Sequence, residues 1–260
     1  MRRWGGGMSV AEPAVPRRAA LNIGTYPAVS ASMAALDRLD VITHNLANAS
    51  TAGFKAQLAI QQGANLRGAD PNHITIAKSS VATDFAQGPI EKTGNSLNAA
   101  IHGEGFFVVD TPNGQRLTRR GTFEIDTEGF LVTAEGNRVQ GPSGDVNFGP
   151  LRDEAIEIGR DGRIHAGQES VGQIRIATVA DTDKLVRDDG ASFFAPPDAI
   201  TDAKPGQFQV QQGALERSNV SAIEGLMSLI ETMRGFEAYT KATQQHDSVT
   251  QKAVTDVGRT

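Results

Sequence analysis

The chain has no cysteine in 260 residues, which excludes disulfides, thiolate metal sites and cysteine nucleophiles. It is also poor in aromatics, with one Trp, two Tyr and 11 Phe, and only 39% of its residues are apolar. Any core must therefore be lean for a chain of one or two domains. No run of about 18 apolar residues is present, so no helix is expected to cross a membrane. Cations are outnumbered, giving a net charge of −5, which argues against nucleic acid as a main partner. Glycine, by contrast, is plentiful at 28 residues.

The charge is unevenly placed. Arg2, Arg3, Arg17 and Arg18 against Glu12 give residues 1–20 a charge of +3, leaving −8 for the remainder. Glycines 5–7, Pro13 and Pro16 oppose a helix there, and the apolar stretch of a signal peptide is missing. Residues 1–20 read as a disordered arm or a misassigned start.

Two amphipathic segments bracket the chain. Val29, Met33, Leu36, Leu39, Ile42 and Leu46 recur at gaps of three and four, predicting a helix from Pro27 to about residue 48. Asn45, Asn48 and the Ser50–Gly53 cluster stop it. At the other end, Ser221 and Glu224 have capping-box spacing. Ile223, Leu226, Ile230, Met233 and Phe236 form the stripe, which resumes at Val249, Ala253 and Val257 before Gly258. Gly225 and Gly235 weaken this helix by about 1 kcal/mol each but permit close approach of another backbone. Thr240, Thr243 and Gln244 interrupt the seam, as a shared coiled-coil-like helix would tolerate better than an isolated coiled coil.

Between the helices, short apolar or alternating runs meet glycine turns. Strands are predicted at Phe106–Val109, from Leu117, at Thr122–Asp126, Phe130–Val132, Val139, Ile156–Ile158, Arg163–His165 and Gln173–Val179. The fold class is therefore α+β: a discontinuous terminal-helix domain around a central all-β, turn-rich domain, sandwich or barrel-like. The boundaries are 1–20 for the arm, 21–60 for the first helix and turn, 61–84 for an extended linker, 85–211 for the β domain and 212–260 for the last helix.

Catalytic signatures are weak. His44, His73, His102, His165 and His246 have no short-range pairing of the kind zinc sites use. Gly103-Glu104-Gly105 lacks the third glycine of a dinucleotide loop, and no nucleophile elbow or phosphate loop is present. Asp126 with Glu128, Asp181 with Asp183, and Asp188 with Asp189 are the carboxylate pairs a glycan hydrolase would need, yet they fall in predicted turns. Calcium at 126–129 would lack the EF-hand spacing. Arg116, Arg119 and Arg120 read as a solvated hairpin face. No cofactor or metal is expected, and two unpartnered stripes favour a chain that assembles. The alternatives are a secreted glycan hydrolase and a ligand-binding β module with helical tails.

Asn45-Leu46-Ala47-Asn48-Ala49-Ser50-Thr51-Ala52-Gly53-Phe54-Lys55 strongly resembles the N-terminal motif of the bacterial flagellar rod and hook family. Gly213-Ala214-Leu215-Glu216-Arg217-Ser218-Asn219-Val220 and Ile230–Tyr239 are similar to its C-terminal segment. Ala100–Val109, Leu117–Phe123 and Gly129–Thr133 resemble its central blocks. His44 stands where an asparagine is common in that family. The resemblance implies a non-enzymatic structural subunit of the basal-body rod, polymerising through paired terminal helices that form an inner rod domain, with the β domain outside. It implies other rod subunits and copies of the chain itself as partners, and no membrane insertion. It also implies passage through the flagellar export apparatus without a cleaved signal, and torque transmission in a periplasm-spanning rod. Ala56–Gln61 lacks the aromatic-rich segment typical of the distal rod, which favours a proximal-rod position with the distal rod as the alternative.

The residues expected to carry assembly are the two stripes with Tyr239, together with the junction Asn45, Asn48, Gly53, Phe54 and Lys55. Asparagine amides can bond backbone where the helix unravels, and Gly53 permits a backbone angle barred to other residues. Phe54 is expected to anchor the following chain on an apolar surface, and Lys55 to leave a charge at the rim.

Overall fold

The computed structural model describes residues 25–65, 75–149, 154–188, 190–204 and 206–257. The arm at 1–20, His73, Asp189 and Gly258 lie outside the described residues. Among the described residues the chain is mostly β with two long α-helices, an α+β protein. Helix α1 is Thr25–Ala47 and helix α2 is Ala222–Val257.

Two compact units emerge. Among described residues, one comprises 25–38, 61–65, 75–79 and 231–257, and the other 39–60 and 80–230. In the first, a cleft is lined by Ala31, Ala34, Ala35 and Arg38 of α1, by Gln61, and by Glu231, Thr232, Gly235 and Tyr239 of α2. Gln61 Nε2 donates to the Ala34 carbonyl at 3.0 Å. The first turn of α2 belongs to the second unit, and there Ser221 Oγ accepts from Glu224 N at 3.4 Å.

The second unit is built around Phe106–Thr111. This strand pairs with Gly114–Thr118 across the Pro112-Asn113 turn, with Arg138–Gly141, and with Ile176–Val179. Alternation sends Phe107 and Val109 into a large core with Ile101, Phe123, Leu131, Val139, Ile164 and Ile176. Phe106 and Val108 enter a smaller core with Leu117, Ala177 and Phe193. Burial on both faces explains why this run is continuously apolar rather than alternating. Phe85, Phe106 and Phe193 stack tilted or edge-on, with centroids 5.2–6.1 Å apart.

Three smaller sheets complete the unit. Ile156–Ile158, Arg163–Ala166 and Glu169–Gln173 form a meander. Phe208–Gln212 pairs with Ala99–Gly103, and Ala214–Glu216 pairs with Ile90–Lys92. The single strand predicted at Gln173–Val179 is two strands, Glu169–Gln173 and Ile176–Val179. The break arises because Ile174 N bonds the Gly162 carbonyl while Arg175 N bonds that of Gln140, so the chain crosses between sheets there. The segment read as an extended linker, 61–84, takes part in a two-stranded sheet that begins before it, Gln57–Asn65 with Thr75–Thr83.

Candidate assembly junction

Helix α1 ends where Asn48 N bonds back to the carbonyls of His44 and Asn45. Asn45 then serves as an artificial strand neighbour. Its Oδ1 accepts from Gln57 N at 2.8 Å and its Nδ2 donates to the Gln57 carbonyl at 2.7 Å. Asn48 Nδ2 donates to the His44 carbonyl at 2.9 Å and its Oδ1 accepts from Thr51 Oγ1. The chain reverses through Gly53 at φ +69°, and a Cβ there would lie 2.4 Å from Arg120 N and 2.5 Å from the Arg119 carbonyl carbon. Glycine is required twice over, by backbone angle and by space.

Past the turn, Phe54 is fully buried. The Arg187 guanidinium lies 4.7 Å from its ring centroid and the His44 ring 5.6 Å away. Arg187 also donates to the carbonyls of Lys55 and Gly190 and lies over Phe193. Lys55 is not at a rim. It is 1% exposed, and its Nζ donates to Glu216 Oε1 at 2.7 Å and to the Ala86 carbonyl at 2.8 Å. The expectation of a rim charge fails because the C-terminal segment supplies a buried carboxylate on which the ammonium closes.

Glu216, also 1% exposed, accepts from Arg119 Nη1 through Oε2 at 3.1 Å and from Gly88 N through Oε1 at 3.1 Å. Arg119 donates further to the carbonyls of Ile101 and Gly103. Two cations thus share one carboxylate in a buried cluster. Burial pushes Lys55 below the ordinary lysine range, opposed by attraction to Glu216. The same two influences act on Arg119, with burial the larger. Asn219 completes the seam: its Oδ1 accepts from Ala56 N at 2.7 Å, and its Nδ2 donates to the carbonyls of Asp84 and Ala86. Gly53 N reaches the Glu216 carbonyl at 2.8 Å.

The arginine cluster is therefore not a solvated face. Arg116 and Arg119 are buried, Arg116 pairing with Asp188 and lying over Phe194. Arg120, partly exposed, pairs with Glu135. Arg116 is buried within its paired strand, and Arg119, just past that strand, is drawn in by Glu216 and the carbonyls of Ile101 and Gly103, which local charge density does not reveal. Of the carboxylate pairs, Asp126 Oδ1 accepts from the amides of Glu128 and Phe130, and Asp181 caps the short helix Thr182–Lys184. Both act as turn formers. Among the described residues, no group of three or more His, Asp or Glu is arranged to hold a metal.

The stripe residues have a different setting. Val29, Met33 and Leu36 are exposed, Met33 by 62%, while Leu39 and Leu46 are half-buried and Ile42 is buried. On α2, Ile223 is 74% exposed, and Leu226, Ile230, Met233 and Tyr239 are exposed with it, whereas Phe236 is half-buried. Met227 and Val249 add to the exposed set. Glu216, Arg119, Arg187 and Asn219 are the residues that sequence reasoning left out of the junction. The available signal was a lone acidic residue, Glu216, in a C-terminal block facing a lone lysine, Lys55, in an N-terminal one.

Residues 26–55 match the family model described as flagella basal body rod protein. Residues 100–166 match the flagellar hook protein FlgE/F/G D1 domain, and residues 211–256 the flagellar basal body rod FlgEFG protein C-terminal region. The junction draws on all three matches, through Lys55, Arg119 and Glu216. The flagellar basal-body rod protein FlgF of Caulobacter vibrioides is 32% identical over 250 residues, covering 90% of this chain and 97% of its own. FlgF of Rhizobium meliloti is 30% identical, covering 92% and 99%. The rod protein FlgG of Bacillus subtilis is 30% identical, covering 88% and 97%. With matches at both ends and in the centre, the chain belongs to the flagellar basal-body rod protein family, and it is a structural protein rather than an enzyme.

Proposed function

We propose that the chain is a subunit of the proximal part of the rod and polymerises through α1 and α2. The observation that carries this reading is the outward exposure of Val29, Met33 and Leu36 on α1 and of Ile223, Leu226, Met227, Ile230 and Met233 on α2. Monomeric proteins seldom leave apolar side chains in such rows. The gaps of three and four between Ile223, Leu226, Ile230 and Met233 suit coiled-coil-like packing against a neighbour. Burying the exposed part of each side chain would contribute about 1 kcal/mol to association.

In this reading, residues 21–60 and 212–260 form the inner rod domain, 85–211 the outer one, and 61–84 connect them. The partners are other rod subunits and further copies of the chain, and torque passes along the packed helices. The chain reaches the periplasm-spanning rod through the flagellar export apparatus without signal cleavage and does not insert in the membrane. No described helix is long and apolar enough to cross one. FlgF relatives and the Ala56–Gln61 segment support the proximal position, and the FlgG relative keeps the distal position as the second reading.

Leu36→Asp tests the interface by placing a charge in the seam. The variant is expected to keep a folded β unit yet fail to enter basal bodies. Normal incorporation and motility would reject the interface. Complementation of strains lacking either the FlgF-type or the FlgG-type protein separates the two positions.

A further inference from the structure

The buried cluster joins residues that are far apart in sequence. Lys55 and Glu216 are separated by 161 positions, Gly88 and Glu216 by 128, and Arg119 and Glu216 by 97. Among the described residues, Glu216 is the carboxylate that pairs with both Lys55 and Arg119, while Asp84 and Glu104 act on them only at a distance. The same segment closes other gaps. Gly213 N bonds the Asn98 carbonyl, Thr93 N bonds that of Gly213, and Arg217 N bonds that of Pro89. Until residues 213–219 arrive, the second unit would have to bury two cations with no carboxylate, together with several unpaired backbone groups.

We infer that Glu216 is a closure latch: its docking onto Lys55 and Arg119 gates folding of the β unit, so that the unit closes only once both ends of its chain are present. A chain delivered N-terminus first then remains open until nearly the whole unit has emerged. The coupling also raises contact order, which slows closure independently of stability. Arg119 makes the gate act on the core itself, because its guanidinium lies 5.3 Å from the Phe106 ring centroid and binds the carbonyls of Ile101 and Gly103 on the neighbouring strand. The inference does not depend on where in the rod the subunit sits.

The test is refolding of the full chain from urea, read by pulse-labelled hydrogen exchange and peptide mass spectrometry over residues 99–109. A latch that forms in the rate-limiting step must change the folding rate, not only the unfolding rate. Glu216→Gln should slow protection of that segment tenfold or more. Adding Lys55→Met should restore most of the rate, since it removes one stranded cation and leaves the Ala86 carbonyl bonded to Asn219. If Glu216→Gln fails to fold, recovery of cooperative refolding in Lys55→Met/Glu216→Gln supports the latch. A folding rate slowed less than threefold in Glu216→Gln, with only unfolding accelerated, overturns it. So does a second substitution that slows folding further or leaves the chain unfolded.

Discussion

Replacing Gly53 with alanine separates backbone conformation from crowding at the junction. A φ of +69° is disfavoured for a residue with a Cβ, by roughly 1–2 kcal/mol. The new methyl would also lie 2.4 Å from Arg120 N and 2.8 Å from the Arg119 carbonyl oxygen, both backbone atoms of the strand exit that carries the buried guanidinium. Backbone cannot step aside as a flexible side chain does, so overpacking adds about 1–3 kcal/mol. The total of roughly 2–5 kcal/mol should loosen the Gly53 N bond to Glu216 as well. Gly136 is the control: its φ is +84°, and a Cβ there would meet nothing within 4 Å. Gly136→Ala should therefore show the conformational part alone, about 1–2 kcal/mol. Equilibrium urea unfolding of both full-length variants, read by hydrogen exchange over residues 99–109, gives the comparison. Equal losses, or a smaller loss at Gly53, would refute the account of the close approach.

Asn219→Ala removes the acceptor of Ala56 N and a donor to two carbonyls, so a loss of about 1–3 kcal/mol is expected, with faster exchange at the Ala56 amide. Lys55 gives a pH signature. Burial lowers its folded-state pKa below that of the unfolded chain, so the unfolded state binds the proton more tightly. Its contribution to stability should rise as pH climbs from the folded-state value toward 10.5, and be lost again on descent through the folded-state value. The wild-type urea midpoint measured against Lys55→Met should accordingly increase from pH 8 to 10.5, and a flat or falling difference would contradict the burial. In a verified monomer, amides of 28–48 and 222–257 should exchange faster than those of 99–109, because the exposed stripes lack the neighbour that would cover them. Equal protection would refute that.

Both helices were legible because their information is local. Gaps of three and four place apolar residues on one face whatever surrounds it. The same holds for the Pro112-Asn113 turn and for the doubly buried Phe106–Val109 run. Reading failed where a residue's fate is decided by a distant partner. Lys55 looks like a surface residue until Glu216 arrives from the other end of the chain, and Arg119 looks like part of a charged hairpin until that carboxylate and two carbonyls surround it. Gln173–Val179 reads as one strand because its apolar pattern is unbroken, while hydrogen bonding hands the chain from one sheet to another at Ile174 and Arg175. At Gly53 the local signal and the distant one agree, since the turn needs its backbone angle and the Arg119–Arg120 backbone needs its bare Cα.

The two kinds of surface place opposite demands on substitution. At the junction, Glu216 and Lys55 are buried and bonded to each other and Asn219 is half-buried against Ala56, so exchanging any of the three leaves a partner stranded and is felt as lost folding. On the helices, Met33, Ile223 and Ile230 are apolar and more than half exposed, so a polar replacement there removes little that the isolated chain uses. It would even make the monomer more soluble. Were folding the sole constraint, such residues would gain nothing from being apolar. The proposed packing against a neighbour in the rod would give their apolar character a use. If the proposed interface holds, exposed apolar residues such as Leu36 and Ile230 serve assembly while Asn45 and Glu216 serve folding, and a variant's defect should follow the class of residue changed rather than its position along the chain.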